Sequence, residues 1–251
     1  MVNLNQASLE NLIRELKNFQ NKNQAANLQR FFKTGPGQYG AGDVFWGIKV
    51  PLQRQIAKRY STLNFKEIKG LLASLVHEQR LVGLLILVDK YELTKSDSER
   101  KQIFDFYLKS SARINNWDLV DLSVYKIMGD YLLRKILSKK AGEKFAHDLL
   151  GRLATSANLW ERRQAMVSTY AFIKSGRTLE TFWLAKQLLN DQHDLIHKAV
   201  GWMLREAGKR VSEAELRYFL DEYGALMPRT TLRYAIERLN QRQRLNYLGK
   251  A

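Results

Sequence analysis

Five charged positions recur along the sequence at the intervals of a helical repeat. They are Arg80, Asp121, Arg163, Lys198 and Arg233, spaced by 41, 42, 35 and 35 residues. Equivalent positions in an array of stacked helix pairs share one surface, so these five positions, here called the charge column, predict a basic stripe containing one acid. A basic stripe suits a polyanion. A lone carboxylate at Asp121 is electrostatically misplaced there unless it has a chemical role.

Two tryptophans lie one helical turn from members of the charge column. Trp117 precedes Asp121 by four residues, and Trp202 follows Lys198 by four. An i, i+4 spacing puts both members of a pair on one helix face. Indole faces attract positive charge, as a carboxylate does. Trp117, Asp121 and Trp202 therefore predict a site for a cationic transition state, although a tryptophan considered alone is more often a core or contact residue.

The composition points to a nucleic-acid partner. Among 251 residues, 41 are Lys or Arg and 25 are Asp or Glu, which gives a formal net charge of +16; such a bias is typical of nucleic-acid binding. An anionic membrane is the rival partner. However, no basic amphipathic segment stands apart at a terminus, and no apolar run reaches the roughly 20 residues that span a bilayer. We therefore expect no membrane partner.

Cysteine and histidine usage argues against a metal or disulfide framework. The chain has no cysteine, which fits a reducing compartment. His193 and His197 are spaced i, i+4 but lack the intervening Glu of a HExxH zinc site, so we expect a plain helix surface there. We predict no metal and no cofactor, and a cytoplasmic, nucleoid-associated monomer.

Helical periodicity dominates and predicts an all-α fold. The helix pairs form units of about 35–42 residues, as in HEAT-like repeats, so we expect one domain over 1–251, an α-solenoid with a concave basic groove. Two capping boxes, at Ser96–Glu99 and Ser212–Glu215, mark helix starts. The predicted helices cover 5–20, 23–33, 51–60, 65–75, 78–93, 97–109, 117–137, 141–154, 158–174, 179–190, 194–209, 213–223, 228–239 and 241–248.

One stretch, residues 34–47, is predicted to be non-helical. It holds five glycines and a proline (TGPGQYGAGDVFWG), which indicates a loop. Its amides could cradle phosphates, but it lacks the Lys-Ser/Thr ending of a P-loop. A plain connector is the alternative reading.

Four segments resemble the AlkD-type glycosylases of the DNA alkylation repair family, which are HEAT-like helical solenoids. They are FWGIKVPLQRQIAKRY, NNWDLVDLSVYKIMGD, LWERRQAM and HKAVGWMLREAGK. The resemblance runs from about residue 10 to 240. It implies excision of N3- or N7-alkylated purines from duplex DNA without metal or cofactor. Asn116 departs from the pattern, because some members carry a second aromatic residue there.

The resemblance also assigns roles to residues. It implies Asp121 as the catalytic carboxylate, with Trp117 and Trp202 beside the deoxyribose of the lesion, and Arg163 on the nearby backbone. Together with the charge column, it leads us to expect DNA contacts from Arg54, Arg80, Arg163, Lys198, Arg205 and Arg233.

Excision of an alkylated purine requires few catalytic groups, which suits a site with a single carboxylate. An alkylated purine is already cationic and leaves as a neutral base, so no general acid is required, unlike ordinary glycoside hydrolysis with its two carboxylates. Two rival functions remain open at this point. One is a non-catalytic protein that binds damaged or branched DNA, and the other is a HEAT-like protein-interaction scaffold whose charge is incidental.

Overall fold

The computed structural model describes residues 8–138 and 140–250, and within them it is all-α. The predicted start of the first helix at residue 5 lies outside the described residues. The helices are α1 Leu9–Lys17, α2 Lys22–Phe31, α3 Val50–Arg59, α4 Phe65–Leu72, α5 His77–Leu93, α6 Asp97–Lys109, α7 Trp117–Val124, α8 Asp130–Ser138, α9 Lys140–Ala154, α10 Leu159–Ser168, α11 Tyr170–Lys174, α12 Leu179–Gln187, α13 Asp194–Arg210, α14 Glu213–Tyr223, α15 Arg229–Ala235 and α16 Gln241–Lys250.

The chain forms two compact units, Met1–Leu119 and Val120–Ala251. In the first unit, α5 packs against α3, α4 and α6. Most of α5 is buried on all sides, as expected of a helix that is apolar around its whole circumference. This central helix carries His77, Glu78 and Arg80 into the interior of the unit.

In the second unit, the helices that carry the charge column are neighbours. α10 packs against α13, and α13 packs against α15. Arg163, Lys198 and Arg233 lie on these three helices in turn. The arrangement is the one expected for successive members of a helical repeat. No helix within the described ranges is both long and apolar enough to cross a membrane.

Most helix starts follow local sequence signals. Ser96 and Ser212 each accept a hydrogen bond from the amide three residues later, as predicted. The reciprocal Glu contacts go elsewhere, because Glu99 accepts from Thr94 and Glu215 from Thr178. A complete capping box, with both bonds present, forms instead at the start of α4, between residues 64 and 67.

Two predicted helices contain interruptions that periodicity did not reveal. The stretch predicted at 158–174 divides at Thr169 into α10 and α11. The stretch predicted at 117–137 contains a π-helical segment, Tyr125–Gly129, between α7 and α8. Such segments insert one residue into a helix and frequently occur at functional sites.

Close packing at Gly129 accompanies the π-helical segment. A Cβ atom at this position would lie 2.3 Å from the carbonyl oxygen of Ser168 and 2.9 Å from Cβ of Ala171. Only glycine allows the segment to approach the α10–α11 junction this closely. The backbone oxygen cannot move aside as a flexible side chain would.

We predict that Gly129→Ala destabilises the protein by about 1–3 kcal/mol, because overpacking costs more than the gain in helix propensity. Chemical denaturation would measure the change. Gly249→Ala is the matched control, since nothing lies within 4 Å of its added Cβ. Equal stability of both variants would contradict the packing argument.

Candidate functional site

Asp121 and Arg163 form a tight ion pair in the second unit. Nε of Arg163 donates to Oδ1 of Asp121 at 2.9 Å, and Nη2 donates to Oδ2 at 2.7 Å. Nη1 donates to the carbonyl oxygen of Leu195 at 2.5 Å. The side chain of Asp121 is 18% exposed, whereas that of Arg163 is 5% exposed. A bidentate contact fixes the plane of the carboxylate.

The charge column is not one exposed stripe, and that expectation is wrong at two positions. Arg163 is buried against Asp121, and Arg80 is only 3% exposed. Nη2 of Arg80 lies 2.7 Å from Oδ1 of Asp43, in the first unit. Lys198 is partly exposed and pairs with Asp194 on its own helix, and Arg233 is exposed. A repeat position identifies a helix face, but that face can contact a neighbouring helix instead of solvent.

The two other predicted DNA contacts differ in accessibility. Arg54 is exposed on α3. Arg205 is 18% exposed on α13, and its guanidinium contacts both Glu206 and Glu237. The guanidinium of Arg54 is therefore more accessible to a phosphate than that of Arg205.

The predicted site tryptophans have aromatic neighbours. In the first unit, Trp117 stacks on Phe32 with ring centroids 5.2 Å apart, and it meets Phe31 edge-on at 5.9 Å. In the second unit, Trp202 lies 6.1 Å from Tyr170. Both tryptophans are partly exposed. Trp117 also begins the helix α7, on which Asp121 follows one turn later.

A buried polar network in the first unit was not foreseen. Nε2 of His77 lies 2.8 Å from Oδ2 of Asp118, and its Nδ1 lies 3.2 Å from Oδ2 of Asp43. Asn116 donates to the same Asp43 oxygen at 3.0 Å, and Arg80 completes the group. Asp118, which lies in the first turn of α7, thus ties the start of this helix to α5. The one sequence signal for the network is a set of polar residues inside apolar segments.

The network holds His77 in its charged form. Burial lowers the pKa of His77, but the charge of Asp118 and hydrogen bonds to Asp118 and Asp43 outweigh it and raise the pKa to about 9. For Asp43, burial raises the pKa, but the hydrogen bond from His77 and the charge of Arg80 bring it below its ordinary value. The imidazole also stacks on Phe45, with centroids 4.5 Å apart, so it is fixed on its faces and its edges.

The glycine-rich loop fits the connector reading. Glu78, which is 1% exposed, accepts hydrogen bonds from the amides of Trp46, Gly47 and Ile48 at 2.7–3.2 Å. An internal carboxylate thus takes these three amides, which are not available to a phosphate. Gly47 has φ +80°, and a Cβ there would lie 2.2 Å from the Asn21 carbonyl, so the end of the loop is packed tightly against the start of α2.

Two other clusters have local explanations. Glu143, His147 and Glu180 lie close enough together to ligate a metal. Arg177, however, pairs with both glutamates, at 3.3 Å and 2.7 Å, and its charge occupies the position that would attract a cation. His193 caps α13 by accepting from Leu195, which agrees with a helix-surface role.

A family model for DNA alkylation repair enzymes matches residues 12–239. The chain belongs to the DNA alkylation repair enzyme family. Membership of this family indicates a role in DNA repair.

A solved structure has a fold similar to that of this chain. It is described as a predicted DNA alkylation repair enzyme from Enterococcus faecalis, with 17% identity and a TM-score of 0.68 over 88% of this chain and 97% of that one. At this identity, the likeness establishes the fold alone. A search of curated proteins gave no match.

We predict that stability falls between pH 6.5 and 9. The folded pKa of His77 lies above the unfolded value of 6.5, so its contribution is complete below pH 6.5 and disappears as pH rises through 9. The expected loss is about 3 kcal/mol at most. Urea denaturation across this range would measure it. His77→Gln should be less stable and nearly insensitive to pH over this range; an unchanged pH dependence in the variant would assign the effect to other groups.

Proposed function

We propose that this protein is a DNA glycosylase that hydrolyses the N-glycosidic bond of cationic N3- or N7-alkylated purines in duplex DNA and leaves an abasic site. The observation that carries the proposal is Asp121, a partly exposed carboxylate held by two hydrogen bonds from a buried arginine. Membership of the DNA alkylation repair enzyme family supports a DNA substrate, as does the net charge of +16.

The reaction needs little from the protein beyond this carboxylate. The bond between C1′ and the purine nitrogen breaks, and both electrons go to the purine, which leaves neutral. The sugar becomes an oxocarbenium ion, and the Asp121 carboxylate stabilises its charge electrostatically. A water oxygen then bonds to C1′. Asp121 orients this water and accepts its proton, acting as a general base.

Arg163 is assigned a positioning role in place of the backbone contact expected from the sequence. Its guanidinium is buried and donates to Asp121 and to the carbonyl of Leu195, so it offers little surface to a phosphate. The pair fixes the carboxylate orientation before substrate arrives, which lowers the reorganisation needed in the transition state. Because Arg163 compensates the charge of Asp121, it also makes a carboxylate tolerable beside the phosphates of DNA.

The tryptophans are proposed as contacts of the deoxyribose. Trp202 lies on α13, four residues after Lys198, and its partly exposed indole can offer a π-face to a developing cation. Trp117 lies on α7 together with Asp121 and is assigned the same role. Lys198, Arg233 and Arg54 are proposed as phosphate contacts because they retain exposed surface.

We expect Asp121→Asn to abolish release of 7-methylguanine from methylated duplex DNA, measured by mass spectrometry. The isosteric amide keeps the shape of the side chain but lacks the negative charge and the basicity. Affinity for DNA should stay equal or increase, because one anion is removed beside the phosphates. Fluorescence anisotropy on the same duplex would measure the affinity.

Three results would count against this function. Release by both proteins would move catalysis away from Asp121. Release by neither, with salt-dependent DNA binding retained, would indicate a non-catalytic DNA binder. Absence of DNA binding by the folded wild-type protein would favour an interaction scaffold.

We expect Arg163→Lys to lower the single-turnover rate of base release by about tenfold or more, since lysine supplies charge but not a bidentate contact. DNA affinity and its dependence on salt should change little, because Arg163 is buried. A backbone-binding Arg163 gives a different pattern, with weaker binding but an unchanged salt slope, because lysine keeps the charge, and with an unchanged rate of base release at saturating DNA. Thermal denaturation would verify that the variant folds, since disturbing a buried ion pair destabilises a protein.

A further inference from the structure

Three aromatic rings form a ridge on the second unit. Tyr125 and Tyr170 meet edge-on with centroids 5.1 Å apart, and Tyr170 lies 6.1 Å from Trp202. All three side chains are partly exposed. They lie, in chain order, on the π-helical segment, on α11 and on α13. We call this set the aromatic ridge.

Two rings of the aromatic ridge share a helix face with members of the charge column. Tyr125 comes four residues after Asp121, and Trp202 comes four after Lys198; an offset of four residues returns to the same helix face. Tyr170 lies beyond the break at Thr169 and joins the ridge through its contacts with both rings. Tyr125 therefore links the ridge to the face that carries Asp121.

Two exposed cations are held against the ridge. Nζ of Lys174 lies 5.5 Å from the ring centroid of Tyr125, and Cζ of Arg210 lies 5.3 Å from that of Tyr170. Both distances fall within the range of cation–π attraction. Arg210 also donates to Glu206 at 2.7 Å; the Arg210 side chain is 42% exposed and that of Glu206 only 8%. The guanidinium is thus held by Tyr170 and Glu206, while part of its surface is exposed to solvent.

Fixed cations of this kind favour an anionic partner. A long basic side chain normally loses rotamer freedom on binding, and the rings and Glu206 have already restricted these two. One face of each tyrosine ring is covered by a cation, so a nucleobase that stacked on that face would first have to displace the cation. Phosphate oxygens, by contrast, can approach the exposed side of each cation and leave the cation–π contacts intact.

We propose that Lys174 and Arg210, presented by the aromatic ridge, bind the DNA sugar-phosphate backbone on the same face as Asp121. This inference rests on the proposed function, which it extends by naming a DNA contact that neither the charge column nor the four family-like segments contain. Arg210 takes the place expected for Arg205, which lies five residues earlier and is held by Glu206 and by Glu237.

The test is the salt dependence of binding to a methylated duplex, measured by fluorescence anisotropy. The double variant Lys174→Gln/Arg210→Gln should bind more weakly, and its slope of log K against log salt should flatten by up to about 1.8, or about 0.9 per phosphate contact. The control is Arg134→Gln/Lys144→Gln, which removes the same charges from exposed positions on α8 and α9, each paired with an acid four residues away. Its slope should stay close to that of the wild type.

A third variant separates the rings from the charges. Tyr170→Leu keeps both cations but removes the face that holds Arg210, so we expect weaker binding with little change in slope. Wild-type affinity in this variant would overturn the part assigned to the ridge. Circular dichroism and thermal denaturation would verify the fold of each protein.

The remaining outcomes separate this proposal from the proposed function. If the wild type releases 7-methylguanine but both double variants keep the wild-type salt slope, Lys174 and Arg210 do not bind the DNA backbone. The proposed glycosylase activity is then unaffected. If the first double variant loses affinity for polyglutamate but not for DNA, the surface binds an acidic polypeptide and the proposal fails. If the wild type neither binds nor cleaves DNA, the proposed function fails first.

Discussion

The second unit depends on one ion pair between neighbouring repeats, Asp121 with Arg163. A buried guanidinium without a carboxylate, or the reverse, costs about 3–5 kcal/mol, so each residue requires the other. The contact also joins α7 to α10 at a defined distance, while the third donor of Arg163 reaches Leu195 at the start of α13. One side chain therefore sets the relative position of three helices, and the carboxylate it orients is the one assigned to chemistry.

The first unit also contains a network of compensated charges. His77, Asp43, Arg80 and Asp118 compensate one another. Glu78 accepts hydrogen bonds from backbone amides at the end of the preceding loop. Burying a single charge would be costly, whereas a group of opposite charges with hydrogen bonds is tolerated and defines a unique geometry. The glycine-rich loop is thereby an integral part of the interior, with Asp43 as its internal anchor.

Much of the fold was predictable, because amphipathic periodicity and capping signals are local. The helices from α3 to α6 and from α12 to α14 lie close to their predicted limits. The break at Thr169 and the π-helical segment were not predictable, since they depend on how neighbouring helices pack. The same limit applies to the site. The charge column predicted one surface for Asp121 and Arg163, which contact each other between α7 and α10. A repeat interval does not reveal whether a side chain contacts solvent or another helix. His77 and Asp43 are 34 residues apart, so no short motif joins them.

The π-helical segment has a consequence for how this helix serves two surfaces. A regular helix relates all its side chains by one angular step, so a change in the orientation of Asp121 would rotate Leu132 and Ile136 out of the core as well. One surplus residue between Tyr125 and Gly129 breaks that geometric dependence. The segment therefore sets the direction of Asp121 and the direction of the core residues Leu132 and Ile136 separately, although all three belong to one continuous stretch of chain.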